Sequence, residues 1–179
     1  MESLSNNLII FDLDETLIHS VENELDYPFH FRFDKYFVYE RPFLRQFLGD
    51  ISKHFKIGIW SSAGDEYVKE IVENIMPKEV APAIVWGRSK CTPRRNWIDD
   101  SFYFEKKLDK LKKKGFSLEK TLIIDDSPEK VRSNYGNAIY IKEFLGNTDD
   151  CELQFLYTYL LTLKAVDNVR TIEKRGWRN

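Results

Sequence analysis

Three short apolar runs each stop at residues suited to handling phosphate or metal. Leu8-Ile9-Ile10-Phe11 stops at Asp12, with Asp14 two residues further on. Lys56-Ile57-Gly58-Ile59-Trp60 stops at Ser61-Ser62, and Thr121-Leu122-Ile123-Ile124 stops at Asp125-Asp126. Continuous apolar runs of this length read as strands buried on both faces, the habit of parallel sheets. In an open parallel sheet the carboxyl ends of the strands form one edge, and ligands bind in the crevice there. That topology gathers several carboxylates, a hydroxyl and backbone amides from distant parts of the chain. Crowded carboxylates repel one another, so a cation is expected among them. Oxygen ligands without a neighbouring His or Cys suit Mg²⁺, which keeps several waters and leaves a position for a phosphate oxygen. The Ser61-Ser62 turn can hold further phosphate oxygens, and a lysine would complete the neutralisation of a phosphoryl group. The chemistry implied is Mg²⁺-dependent phosphoryl transfer.

The elements around these runs must deliver that edge. Aromatics crowd the stretch from Tyr27 to Tyr39 and alternate before Asp34-Lys35, which predicts a β-hairpin. Pro42 opens a helix with Phe43, Leu44, Phe47, Leu48 and Ile51 on one face. Val68, Ile71, Val72 and Ile75 predict a second helix from Asp65 to Met76, stopped by Pro77. Residues 80–101 carry Pro82, Gly87, Pro93 and the basic cluster Arg88, Lys90, Arg94 and Arg95, with no clear period. Phe104, Leu108 and Leu111 predict a helix ending near Gly115, and Ala138 to Ile141 a fourth strand. Asp149 and Glu152 carry a capping-box spacing ahead of a last helix with Leu153, Leu156, Leu160 and Leu161. Strands alternating with helices indicate an α/β fold with a mainly parallel sheet flanked by helices.

Composition narrows the function classes. The 179 residues correspond to one domain at about 150 residues each. Lys plus Arg (27) nearly balances Asp plus Glu (29), so no global field exists to hold nucleic acid or an anionic membrane. Cys91 and Cys151 have no metal-ligand spacing and no partner that would activate a thiol, which fits a reducing compartment. No apolar run reaches the length of a membrane span, and Met1 to Asn7 has no secretory pattern. A cytoplasmic protein is expected, or a nuclear one in a eukaryote. His19, His30 and His54 share no spacing with the acids and read as bystanders. Aromatic residues reach 15%, a surplus concentrated in the hairpin stretch, where it serves either as core or as an apolar wall.

The string Phe11-Asp12-Leu13-Asp14-Glu15-Thr16-Leu17 resembles the first motif, DxDxT, of the haloacid dehalogenase superfamily of phosphotransferases. With Ile18-His19-Ser20 it resembles the branch of RNA polymerase II C-terminal-domain phosphatases and their small relatives. Glu40-Arg41-Pro42, Trp60-Ser61-Ser62-Ala63, Phe104-Glu105-Lys106-Lys107-Leu108 and Leu122 to Pro128 match further family segments in order. The closing helix of the family resembles Asp149 to Arg170, so the likeness runs from about 8 to 170. It implies a Rossmann-like core with a small β-hairpin cap insertion at about 20–40 and a variable insertion at about 80–101, all in one domain over 1–179.

The resemblance also implies roles. Asp12 is the nucleophile that forms an aspartyl-phosphate, and Asp14 the general acid and then base. Asp12, the Asp14 backbone carbonyl and Asp126 coordinate Mg²⁺, with Asp125 in support. Ser61 and the following amide at Ser62 bind phosphate, Lys106 stabilises the phosphoryl charge, and Thr16 orients the nucleophile's loop. Without the resemblance, Lys106 reads as one solvated lysine among Lys107, Lys110, Lys112, Lys113 and Lys114. Ser61 stands for the commoner Thr, Asp126 for a frequent Asn, Lys107 for Asp and Glu40 for a basic residue. The match is weakest over 80–101, where relatives place part of their substrate surface. There the basic cluster reads as a solvated loop or as a grip on an acidic or phosphorylated partner. A small cap suits a phosphate protruding from a phosphorylated protein or peptide. The alternatives are a phosphatase of small phosphomonoesters or nucleic-acid ends, a non-catalytic binding module on the same fold, and a phosphoacceptor receiver domain. The last needs its acceptor Asp where this chain has Ser61.

Overall fold

Leu8–Phe11 (β1) is apolar at every position because it lies at the centre of a sheet and is covered on both faces. The structure, a computed structural model, describes residues 7–97 and 100–178; the reading of the first six residues lies outside these. Five parallel strands stand in the order β10-β9-β1-β5-β6, with β5 at Lys56–Trp60, β6 at Ile84–Trp86, β9 at Thr121–Asp125 and β10 at Ala138–Tyr140. The register pairs Phe11 with Ile59 on one side and with Ile124 on the other, so three strands end at one level. One face of the sheet packs Phe11, Ile59 and Leu122 against helices α1 (Leu44–Ser52), α2 (Asp65–Ile75) and α4 (Glu152–Thr162). The other packs Ile10, Trp60 and Ile123 against Leu108, Leu111 and Val131.

The aromatic stretch forms the expected hairpin, β3 (Phe31–Phe33) with β4 (Tyr36–Glu40), turning at Asp34, whose φ is 51°. A third strand, β2 (Ile18–Val21), joins the other side of β4 and makes an antiparallel sheet of three. The expected helix opening at Pro42 begins instead at Leu44. Phe43 takes a left-handed conformation and is half exposed, so it does not share the buried face.

Residues 80–101 hold β6 and then β7 (Thr92–Arg95), which pairs antiparallel with β8 (Phe102–Glu105) in a two-stranded ribbon. Phe104 is therefore in a strand; helical turns resume only at residues 108–114, as a 3₁₀ run closed by Gly115. The capping box is not formed. Helix α4 starts at Glu152, whose amide is met by Asp150, while its own carboxylate accepts from the Lys142 amide. A short helix α3 (Pro128–Val131) follows β9 directly, with Pro128 in its first turn. Among the described residues no helix is long and apolar enough to cross a membrane.

Candidate active site

The Asp12 amide donates to the Ile124 carbonyl (2.9 Å), so the ladder continues one residue beyond β1 and fixes Asp12 at the sheet edge. Its carboxylate is buried and meets Lys106 Nζ at 2.6 Å through Oδ1; the same ammonium lies 2.6 Å from Asp125 Oδ2. Lys106 is the connection between β8 and the 3₁₀ run, and it is 0% exposed. A backbone clasp holds it there. The Lys106 amide donates to the Lys130 carbonyl (2.7 Å), and Asn134 Nδ2 donates to the Lys106 carbonyl (2.6 Å). Asn134 Oδ1 accepts from the Leu108 amide (3.0 Å). Burial works against the Lys106 charge, but Asp12 and Asp125 outweigh it and hold the ammonium above its ordinary range.

Asp14 turns a different way. Its Oδ1 accepts from the Tyr67 hydroxyl on α2, and its Oδ2 accepts from Ser61 Oγ at 3.4 Å. Ser20 Oγ, on β2, lies 2.6 Å from the Tyr67 hydroxyl. Burial raises the Asp14 pKa, the Tyr67 hydrogen bond opposes that rise, and the charge of Asp12 adds to it. Ser61 Oγ also accepts from the Ala63 amide (3.0 Å), which curls the turn before α2. The Ser61 amide donates to the Trp86 carbonyl (3.0 Å), extending β5 toward β6. Gly87 lets that neighbouring loop close on α2: a Cβ there would lie 2.3 Å from Asp65 Oδ1.

Asp12, Asp125 and Asp126 offer carboxylate oxygens that all lie within 4.8 Å of one another. Asp125 Oδ1 accepts from the Ser127 amide (3.0 Å), and Asp126 accepts from Thr16 Oγ1 (3.3 Å) and Ser127 Oγ (3.0 Å). Asp12 Oδ2 is buried without a hydrogen-bond partner. An oxygen-only set with one orphaned carboxylate oxygen fits a hard divalent cation. Burial and the Asp12 charge raise both Asp125 and Asp126, and Glu15 is pushed up to about 7 by burial, Asp14 and Asp126.

The structure thus brings Asp12, Asp14, Thr16, Ser61, Lys106, Asp125 and Asp126 to one edge. Ser62 joins them by its backbone, whose carbonyl accepts from Arg88 Nε at 2.8 Å. Sequence reasoning assigned no role to Tyr67, Ser20, Lys130 or Asn134; only Lys130, one helical turn after Asp126, carried a local signal that could have found it. His19 Nδ1 lies 3.3 Å from Glu15 Oε1, and His30 Nδ1 accepts from the Glu40 amide (3.1 Å), so both histidines have structural partners. The basic cluster is largely spent internally: Arg94 pairs with Glu105 at 2.6 Å and Arg95 with Asp100. Cys91 is buried near the Ser61 carbonyl, with Sγ at 3.7 Å. Beside Asp14 an open cleft of about 390 Å³ is walled by Phe33, Tyr36, Tyr67 and Arg88.

Several known proteins are similar to this chain over most of its length. A Dictyostelium discoideum protein named CTD small phosphatase-like protein 2 is 28% identical over 169 residues, covering 90% of this chain and 28% of its own length. Nuclear envelope morphology protein 1 of Schizosaccharomyces pombe is 26% identical, over 94% of this chain and 36% of that protein. The human carboxy-terminal domain RNA polymerase II polypeptide A small phosphatase 1 is 25% identical, over 92% and 62% respectively. The chain therefore spans between 28% and 62% of the length of these three relatives. In fold it superposes on Fcp1, described as an essential RNA polymerase II CTD phosphatase, with a TM-score of 0.66 at 18% identity over 90% of this chain and 63% of that one. The model of the NLI interacting factor-like phosphatases matches residues 7–170, almost the whole described chain. This α/β chain, with its parallel haloacid dehalogenase-type sheet and its acids at the strand ends, belongs to that family.

Proposed function

We propose that this chain is a Mg²⁺-dependent phosphatase that works through Asp12 on phosphoserine or phosphothreonine in proteins. The observation that carries the reading is the paired environment of the two acids. Asp12 is ion-paired to Lys106 with one oxygen unpartnered, whereas Asp14 is hydrogen-bonded to Tyr67 and Ser61. Two carboxylates two residues apart are thereby set up differently, one ion-paired to a lysine and one pushed toward its protonated form by burial.

In the first step an Asp12 oxygen bonds to phosphorus as the phosphorus–oxygen bond to the serine or threonine breaks. Asp14 gives its proton to the leaving alkoxide. In the second, Asp14, now a carboxylate, takes a proton from water as that water bonds to phosphorus and Asp12 is released. Lys106 holds positive charge against the transferred group throughout, already positioned by Asp125 and the Asn134 clasp. The Ser61 turn, with its hydroxyl and the amides of Ser62 and Ala63, is placed to receive phosphate oxygens. Asp12, Asp126 and the Asp14 carbonyl would hold Mg²⁺, with Asp125 behind them; bound there, the ion supplies charge for the phosphoryl oxygens.

The substrate class follows from access. The three-stranded sheet β2-β4-β3 borders the cleft beside Asp14 through Ser20, Phe33 and Tyr36, and that cleft is open. Such a site takes a phosphate that protrudes from a large molecule more readily than it encloses a metabolite. The name of the human relative, a small phosphatase of the carboxy-terminal domain of an RNA polymerase II polypeptide, points to the same class. A panel of phosphopeptides, nucleotides and sugar phosphates, with and without a chelator, tests it. Phosphopeptides should turn over most efficiently, and chelation should abolish turnover. Turnover of small molecules alone overturns the protein-substrate reading, and turnover indifferent to chelation overturns the metal. An intact fold that hydrolyses nothing in the panel identifies a binding module.

A further inference from the structure

Lys130 lies on α3, one turn beyond the Asp125-Asp126 pair, with its side chain 22% exposed. Its Nζ stands 3.8 Å from Asp12 Oδ2, the buried oxygen that has no hydrogen-bond partner. That separation is too long for a hydrogen bond but close enough for strong attraction between opposite charges. The two lysines of the site are held differently. Lys106 is fully buried and locked between Asp12 and Asp125 at 2.6 Å each. Lys130 reaches in from the rim on a flexible four-carbon stem, and among the described residues no short contact holds its ammonium. Its charge acts on Asp14, Glu15, Asp125 and Asp126 as well as on Asp12.

We propose that Lys130 is a built-in counter-cation of the acid cluster, placed against the Asp12 oxygen that carries no hydrogen bond, and that it thereby weakens and tunes Mg²⁺ binding. This rests on the reading of Asp12, Asp125 and Asp126 as a Mg²⁺ site. Without the ammonium, the metal-free cluster would hold its carboxylates against Lys106 alone, and their mutual repulsion would destabilise the folded chain. With it, the cluster is partly neutralised before any metal arrives. A divalent ion entering beside Asp12 must then displace Lys130 toward solvent or bear the repulsion of a neighbouring positive charge. Either outcome lowers affinity. The partly exposed stem at the rim makes displacement the easier course, whereas the fully buried Lys106 has nowhere to go.

The test uses the whole chain and Mg²⁺ alone, by titration calorimetry and by thermal unfolding with and without the ion. Lys130→Met and Lys130→Gln should bind Mg²⁺ about tenfold more tightly than the unaltered chain, the size expected for removing one nearby screened charge. Both should also melt lower without metal and gain more on its addition. Lys130→Arg keeps the charge and should stay within about threefold of the unaltered chain, a difference of under 1 kcal/mol. A role confined to the packing of α3 would lower the melting temperature equally with and without Mg²⁺ and leave the affinity unchanged. That result, or weaker binding in the neutral variants, overturns the inference while leaving the metal site intact. An unaltered chain that takes up no more Mg²⁺ than Asp126→Ala, which removes the oxygen donor altogether, overturns the reading of the site together with it.

Discussion

The Tyr67 hydroxyl donates to Asp14 Oδ1, so a residue on α2 aims a carboxylate that stands two positions past Asp12. Because Ser61 donates to the other oxygen, both sides of that carboxylate are fixed before substrate arrives. Burial and the Asp14 charge push the Tyr67 phenol well above its ordinary range, so it stays a donor at any working pH. Tyr67→Phe should leave the fold intact and loosen Asp14. Turnover of a phosphoserine peptide, whose alkoxide needs a proton, should fall about tenfold, or about 1.4 kcal/mol of barrier. Turnover of an aryl phosphate with a good leaving group should fall by less than about threefold, since protonation matters little there. Equal losses on the two substrates would show that Tyr67 acts by packing on Phe33 and Tyr36 alone.

Lys106 is the sole cation within hydrogen-bonding reach of both Asp12 and Asp125 among the described residues. Lys106→Met should remove about 3–5 kcal/mol of stability, because two buried carboxylates lose their partner. Chemical denaturation measures this directly, and Mg²⁺ should restore part of the loss. A loss below about 1 kcal/mol, the range of an exposed pair, would mean that the ion pair is solvated.

Arg41 makes the other buried ion pair that shapes the site. It reaches Asp150 through Nε and an Nη at 2.8 Å each, and it also donates to the Thr16 carbonyl at 2.9 Å. The loop after β1 is thereby tied to the segment that leads into α4. Burial opposes the Asp150 charge, but the Arg41 hydrogen bond and charge hold its carboxyl below the ordinary range of an aspartate. A depressed carboxylate adds stability that is fully present above its unfolded pKa and is lost as pH falls through the folded one. Urea unfolding between pH 7 and pH 2 should therefore show an acid-side loss starting near pH 4. Asp150→Asn should shrink that loss, and an unchanged acid limb would exclude the pair as its source.

The strands were legible because parallel strands buried on both faces need continuous apolar runs, and β1, β5 and β9 have them. Their ends placed Asp12, Ser61 and Asp125-Asp126 on one edge without further information. Lys106 was harder. Leu108 and Leu111 at helical spacing drew Phe104 into the same helix, and the surrounding lysines suggested a solvated face. In the structure Phe104 pairs with Pro93 across the ribbon, and the Asn134 clasp turns Lys106 inward. Both are contacts between distant residues, which local periodicity does not register. Tyr67 was hidden for a related reason: on α2 it looks like any aromatic on a helix, and only the path of β1 brings Asp14 to it. At the start of α4, Asp150 serves Arg41 and Glu152 serves Lys142, so tertiary bonds replaced the expected cap.

The central claim is that Asp12 carries the phosphoryl group. The most direct measurement is hydrolysis of a phosphoserine peptide in Mg²⁺ by the unaltered chain and by Asp12→Asn, each checked for folding. The unaltered chain should release phosphate, and Asp12→Asn should lose at least about a thousandfold, or roughly 4 kcal/mol of barrier. Phosphate release that survives Asp12→Asn undiminished would contradict the account.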